Sequence, residues 1–265
     1  IKENIPEIQK YFLKKAEILN HKNGLPFYDL FAPIDKDDIK FTYEEAKNFV
    51  IKNFKDFSEK LGDFAENAFD KNWIDVIPKK GKVGGAFCEG IHSIKESRIL
   101  TNFTGSLNDT VTLAHELGHA YHDSCLYDEK ELNCEYPMPI AETASTFCET
   151  LILNSALKTA SNREKKIILE NDLSGIAQTI IDIYSRFLFE DEVFKRREKG
   201  FVSVSELKEI MTNSQKEAYG KGLDEKYLHP YMWICKPHYY DSDFNYYNFP
   251  YAFGLLLSKG LYSKY

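Results

Sequence analysis

The stretch Thr112-Leu113-Ala114-His115-Glu116-Leu117-Gly118-His119 places two imidazoles one helical turn apart with a carboxylate between them. An α-helix turns once in about 3.6 residues, so His115 and His119 share a face from which both rings can reach one ion. Glu116 is rotated aside, toward whatever lies in front of that ion. This is the ligand spacing of a hydrolytic zinc site, in which the metal activates a water and a neighbouring carboxylate takes its proton. A catalytic zinc uses three protein ligands and keeps a fourth position open. Glu142, 23 residues after His119, is the candidate third ligand, because it opens a predicted helix whose packing on the first would aim it at the metal. Glu131 and Glu135, in the intervening loop, are less rigidly placed. Glu149 stands two turns further along the same face, where it could orient His115 or His119 through the second ring nitrogen. His122 continues the histidine face at i+7 from His115, and with three ligands supplied it is expected to pack or support rather than bind. One zinc ion per chain is the expected cofactor.

The elements that must hold these residues are mostly helices. Ile8, Phe12, Ala16 and Leu19 recur at helical spacing over 5–19, a run that stops at Asn23-Gly24 before Pro26. A loop follows through Pro33 and the acidic cluster Asp35, Asp37 and Asp38. Thr42-x-x-Glu45 is a capping box that opens a second helix with Ala46, Phe49, Val50 and Phe54 inward, and a third is predicted over 58–69. Residues 81–88 and 97–103 are short, apolar in part and separated by turn residues, which predicts a pair of strands leading into the zinc-motif helix. Ser106 or Asn108 would cap that helix. A polar loop over 123–139 precedes a helix over 140–157. Ser161-x-x-Glu164 opens another that could run to Lys199, with Ile168, Ile176, Ile180, Ile183, Phe187 and Phe194 inward. Ser203-x-x-Glu206 opens one more, closed by Gly220 or Gly222. The fold class expected is mainly α with a small β-sheet.

With 265 residues, 43% hydrophobic and 28% charged, and a formal net charge of −7, the chain has the composition of a globular protein and not of a nucleic-acid binder. No apolar run approaches the roughly 18 residues of a membrane span, and residues 1–10 lack the pattern of a signal peptide. Five cysteines, an odd number without a CxxC pair, indicate neither a disulfide framework nor a thiolate cluster. A cytoplasmic protein without membrane or nucleic-acid partners is the expectation. Cys235-x-x-His238 has no further ligand pair nearby and is discounted as a second metal site. The opening on Ile1 and the apolar run over 253–262 at the other end suggest a piece of a longer protein.

Three segments carry a family resemblance. Arg98-Ile-Leu-Thr-Asn-Phe, then Thr112-Leu-Ala-His-Glu-Leu-Gly-His-Ala-Tyr-His, then Ala141-Glu-Thr-Ala-Ser-Thr-Phe-Cys-Glu resemble the oligoendopeptidase F branch of the thimet-oligopeptidase-like zinc metallopeptidases. The tail continues the likeness, with His229-Pro230, Trp233, Pro237-His238-Tyr239-Tyr240 and Tyr247-x-x-x-Tyr251-Ala252-x-Gly254. The resemblance implies a zincin-like catalytic domain of the gluzincin type over 1–265, without the amino-terminal helical part and the carboxyl-terminal end of proteins about twice as long. It implies His115, His119 and Glu142 as zinc ligands, Glu116 as the catalytic carboxylate, and oligopeptides as substrates.

His238, Tyr247 and Tyr251 are candidates to donate hydrogen bonds to the oxyanion of the tetrahedral intermediate. The tyrosines also fit an apolar helical stripe with Phe244, Gly254 and Leu255, and Tyr246 competes with Tyr247 for the role. Gly84, Gly85 and Ala86 could offer a strand edge to which a peptide adds, although a turn explains the same glycines equally well. The expected activity is endopeptidase action on short peptides. An exopeptidase and a peptide-binding module without turnover are the alternatives, and the intact Glu116 argues against the latter. The sequence carries no signal of oligomeric state.

Overall fold

A computed structural model describes residues 2–35 and 39–265. Asp37 and Asp38 of the predicted acidic loop lie outside the described residues, as does Ile1. In chain order the helices are α1 (Ile5–Ile18), α2 (Tyr43–Phe57), α3 (Glu59–Asp70), α4 (Leu107–Ser124), α5 (Met138–Thr159), α6 (Asn162–Ala177), α7 (Ile183–Arg197), α8 (Val204–Tyr219) and α9 (Phe249–Tyr262). Three strands, β1 (Ile74–Asp75), β2 (Phe87–Ile91) and β3 (Glu96–Leu100), lie between α3 and α4. The architecture is mainly α with a small sheet.

The chain divides into two compact units, Ile1–Lys36 with Asp172–Ala252, and Asp37–Asn171 with Phe253–Tyr265. The second unit carries the zinc-motif helix. Its core joins Val50 and Phe54 of α2, Leu61 and Ala65 of α3, Val111, Ala114 and Leu117 of α4, and Leu151 and Ile152 of α5. In this unit α2, α3 and α4 each begin where a side chain satisfies a free N–H group. Thr42 and Glu45 form the predicted capping box of α2, and Ser58 accepts from the Leu61 N–H at the start of α3. Ser106, rather than Asn108, caps α4, in a capping box with Asp109. Asp109 Oδ2 also accepts from the Thr104 N–H and hydroxyl at 2.7 and 2.8 Å, which ties the incoming loop to the helix start.

The sheet has the order β1-β3-β2. β2 and β3 are antiparallel with Cys88 opposite Ile99, and β1 runs parallel to β3 with Ile74 opposite Ile99. The predicted strand over 81–88 is therefore corrected, since only its last two residues lie in β2. Residues 81–86 instead form a turn and bend, with the Asn102 amide donating to the carbonyls of Val83 and Gly85 at 2.9 and 3.1 Å. Paired glycines and interspersed lysines favour such a turn over a ladder.

α4 and α5 pack closely against one another. A Cβ at Gly118 would stand 2.9 Å from Ser145 Cα and 3.0 Å from the Ala144 carbonyl oxygen, both backbone atoms. Only glycine allows that approach.

In the other unit, α7 packs on α8 around Phe189, Val202, Ile210, Met211 and Met232. The helical run opened by Ser161 does reach Arg197, but it passes through a π turn at Gln178–Asp182. The π turn adds one residue, rotating everything after it by about 100°. The predicted inner face holds at Ile168 and as far as Ile180 within the turn, and fails at Phe187 and Phe194 after it. Ile168 and Ile180 are buried, whereas Phe187 is 46% and Phe194 40% exposed, and Ser185, Arg186, Phe189 and Glu190 face inward in their place.

Gly118→Ala should destabilise the protein by about 1–3 kcal/mol, because the neighbours its methyl meets are backbone. Ser106→Ala should cost about 1 kcal/mol through the lost cap. Urea unfolding of both variants measures these; an unchanged midpoint for Gly118→Ala would mean that the two helices are free to separate.

Candidate metal centre

α4 supplies His115 and His119 one turn apart, and α5, held close by Gly118, brings Glu142 over them. The two Nε2 atoms are 3.1 Å apart, and Glu142 Oε2 lies 3.5 Å from His115 Nε2 and 3.9 Å from His119 Nε2. Two imidazole nitrogens and a carboxylate oxygen are the donor set of a hydrolytic zinc site. The three separations bracket the edge of about 3.3 Å expected for a tetrahedron with ligands about 2 Å from its centre. Among the described residues this is the one group of three or more histidine, cysteine or acidic side chains able to hold an ion. Glu131, Glu135 and Cys235 take no part in it.

Neighbouring groups aim these ligands. Glu149 Oε1 lies 2.5 Å from His115 Nδ1, so that ring nitrogen carries the proton and Nε2 is left to face the centre. The Ser145 hydroxyl lies 3.3 Å from Glu142 Oε2. On the other side of Glu142, a Cβ at Gly254 would come within 2.9 Å of both the carbonyl carbon and the Cβ of Glu142. Gly118 and Gly254 thus leave α5 no room to shift Glu142. Neither role is legible from composition or helical period; each depends on which backbone meets which.

The electrostatics call for a cation. Glu116 and Glu142 are both 5% exposed, and burial raises the pKa of each, Glu116 to about 7 with further help from the charges of Glu142 and Glu149 and against that of His115. Burial lowers His119 to about 3, reinforced by the charge of His115 and then His122. For His115 burial alone would lower the pKa, but the hydrogen bond and charge of Glu149, with Glu116 and Glu142, carry it up to about 9. Carboxylates buried beside imidazoles form an unfavourable arrangement that a divalent ion at the three ligand atoms would offset. The residues fit zinc.

Glu116 accepts no hydrogen bond from the described residues, and it lines a cleft of about 390 Å³ together with Gly85, Ala86, Asn102, Thr112, His115 and Glu149. Gly84 is not in that lining, and β2, which follows directly, is an edge strand. His122 points elsewhere, its ring 4.2 Å from that of Tyr136 between centroids.

The other unit gathers the remaining candidates. The Tyr247 and Tyr251 hydroxyls are 3.2 Å apart, and the His238 ring lies 5.7 Å from that of Tyr247. Tyr246 is engaged separately: its N–H donates to Glu190 at 2.8 Å, its hydroxyl to Asp191 at 3.2 Å, and its ring packs on Phe187 and Phe194. Tyr247 is therefore the tyrosine that shares a cluster with His238 and Tyr251.

The sequence profile of peptidase family M3 matches residues 1–265. The chain belongs to peptidase family M3. It is 29% identical over 267 residues to "Oligoendopeptidase F, chromosomal" of Lactococcus lactis subsp. cremoris, covering 100% of this chain and 44% of that protein. With "Oligopeptidase PepF" of Bacillus subtilis (strain 168) the identity is 28% over 270 residues, covering 100% and 39%. A crystal structure of a putative peptidase from Chlamydophila abortus superposes with a TM-score of 0.78 at 29% identity, covering 99% of this chain and 45% of that one. A PZ peptidase A with an inhibitor shares the fold at a TM-score of 0.77 and 20% identity, covering 98% and 46%. The M3 chain described here thus spans less than half the length of these relatives.

Without metal, His115 keeps its proton to about pH 9 instead of its ordinary 6.5. A raised folded-state pKa contributes stability that is complete below the unfolded value and lost as pH rises through the folded one. In chelator, Glu149→Gln should therefore cost about 1.5–3 kcal/mol near neutral pH, the worth of a hydrogen bond to a charged group, with the gap closing above about pH 9. Urea midpoints across that range are the measurement; a gap independent of pH would disconnect Glu149 from the His115 proton.

Proposed function

We propose that this chain carries the catalytic centre of a zinc endopeptidase that hydrolyses internal bonds of short peptides. The reading rests above all on the convergence of His115, His119 and Glu142, with Glu149 behind His115 and the buried Glu116 beside it. His115 and His119 would bind zinc through Nε2 and Glu142 through Oε2. When bound, the ion would supply Lewis-acid polarisation of the scissile carbonyl and a lowered pKa for the attacking water.

Glu116 takes the water's proton as its oxygen attacks the carbonyl carbon, and returns it to the nitrogen as the C–N bond breaks. Its burial and freedom from other hydrogen-bond donors suit a base whose oxygens must be open to water. His238, Tyr247 and Tyr251 donate to the oxygen on which negative charge develops. Tyr246, tied to α7, supports their segment. The substrate backbone lies along Gly85, Ala86 and the β2 edge, pairing by main-chain hydrogen bonds, with Gly84 shaping the bend.

We read the two compact units as one catalytic domain of a longer peptidase, and oligopeptides as its partners, in keeping with the names of its relatives. The cysteine pattern of the sequence supports the cytoplasm as its compartment. No helix among the described residues is long and apolar enough to cross a membrane.

Zinc content and cleavage of an internally quenched peptide with both termini blocked test the reading. The intact protein should bind one zinc and cleave; Glu116→Gln should keep the metal and lose at least about 10²-fold in kcat, the lower end for a general base. Glu142→Ala should lose the metal itself. Cleavage of free-ended peptides only would make the protein an exopeptidase, and zinc without any turnover would make it a binding module.

A further inference from the structure

A chain of buried polar groups ends on His238. Asp182, in the π turn, accepts from the Tyr219 hydroxyl at 3.0 Å and from Arg186 Nη2 one turn later on α7. Arg186 Nη1 then reaches Asn248 Oδ1 at 3.2 Å, and Asn248 Nδ2 meets His238 Nε2 at 2.8 Å. Asp182 is 3%, Arg186 9% and Asn248 8% exposed, so water cannot readily substitute for these partners.

The order of donors along this chain has only one solution. A guanidinium has no acceptor, so the group that Asn248 turns toward Arg186 must be its carbonyl oxygen. The amide of Asn248 therefore faces His238, and an amide NH₂ only donates. His238 Nε2 must then be the acceptor, without a proton, and the proton of the neutral ring sits on Nδ1. Reversing the Asn248 amide would set a guanidinium N–H against an NH₂ in a buried place, at the cost of an unsatisfied donor on each.

We propose that Asp182, Arg186 and Asn248 are positioning residues that lock His238 as a neutral Nδ1–H donor, the form that serves a peptide carbonyl oxygen as negative charge grows on it. Burial, and after it the charges of Arg186 and Lys236, keeps the His238 pKa low, which agrees with a ring that stays neutral. Nδ1 has no partner among the described residues, and the ring is only partly buried, so the donor is open to a ligand. The ring lies near the Tyr239 and Tyr247 rings, at centroid distances of 4.5 and 5.7 Å. The Tyr239 hydroxyl donates to the Arg186 carbonyl at 3.3 Å, fastening the same segment to α7.

The inference rests on the peptidase reading for its purpose but not for its test. Nitrogen-15 NMR of the imidazoles in the intact protein, with His238 assigned by its loss in His238→Gln, should find Nδ1 protonated and Nε2 bare. A proton on Nε2 in the parent overturns the proposal without any variant. Asn248→Asp replaces the donating amide by an acceptor that Arg186 can still hold, so Nε2 should gain a proton. Nε2 remaining bare in that variant would remove Asn248 from control of the ring. In turnover, Asn248→Asp should lower kcat by on the order of 10²-fold, as for loss of one oxyanion donor, with KM and zinc content little changed. An unchanged kcat overturns the positioning role, whereas a parent protein that cleaves no peptide sinks the function while leaving the tautomer measurement to stand on its own.

Discussion

The close approach of α4 and α5 at Gly118 is the constraint on which the candidate metal centre depends. A carboxylate side chain is short, and Glu142 reaches within 3.5 Å of His115 Nε2 only because the two backbones nearly touch one residue before His119. Any side chain at 118 would have to displace α5 backbone. Gly254 meets Glu142 itself in the same way, so the segment of α5 from Glu142 to Ser145 has two close contacts that admit no Cβ. The energetic reason for such tight framing is that Glu116 and Glu142 are both buried, and the charge of Glu142 adds to the cost of ionising Glu116. A loosely held pair would relax toward solvent or take up protons, and a site of correct composition would lose its affinity for a cation.

The π turn at Gln178–Asp182 plays the comparable part in the other unit. One added residue turns Arg186 inward and carries Phe187 and Phe194 outward. Asp182 ends the turn and so lies one helical turn before Arg186, where it accepts from the guanidinium. An unbroken α-helix would have buried two phenylalanines and left the ion pair at the surface. The irregularity thus exchanges apolar packing for a buried polar chain. The displaced rings are not idle, because both pack on Tyr246 and help hold the segment that carries Tyr247 and Asn248.

The candidate metal centre is legible in the sequence because its geometry is set by helical period. His115, His119 and Glu149 follow from spacing, and Glu142 from the start of a helix. The capping boxes at Thr42, Ser161 and Ser203 mark helix starts for the same reason, since each is a local bond between residues three apart. What could not be read were features set by contact between distant segments. The two-residue β1 exists only through its pairing with β3, and residues 81–86 look like a strand until the Asn102 amide is seen holding them as a bend. Apolar spacing misplaces the phase of α7 because it assumes an unbroken helix. Tyr246 and Tyr247 are adjacent and alike in sequence; the hydrogen bond of the Tyr246 N–H to Glu190 separates them.

His115 and His238 are held in opposite senses, and the difference decides what each ring can do. A carboxylate, Glu149, accepts at His115 Nδ1, so the proton is drawn there and Nε2 presents a lone pair, the requirement of a metal ligand. An amide, Asn248, donates at His238 Nε2, so the lone pair is consumed there and Nδ1 presents a proton, the requirement of a hydrogen-bond donor. The two orienting residues differ in whether they set the choice unaided. A carboxylate is an acceptor in any orientation once ionised, so Glu149 suffices by itself. An amide can turn either way, and it is the donor-only guanidinium of Arg186, held by Asp182, that removes one of the two orientations. A histidine meant to donate from a fixed atom therefore needs a longer supporting chain than one meant to bind a metal. On this reading the buried Asp182–Arg186 pair serves the orientation of the Asn248 amide.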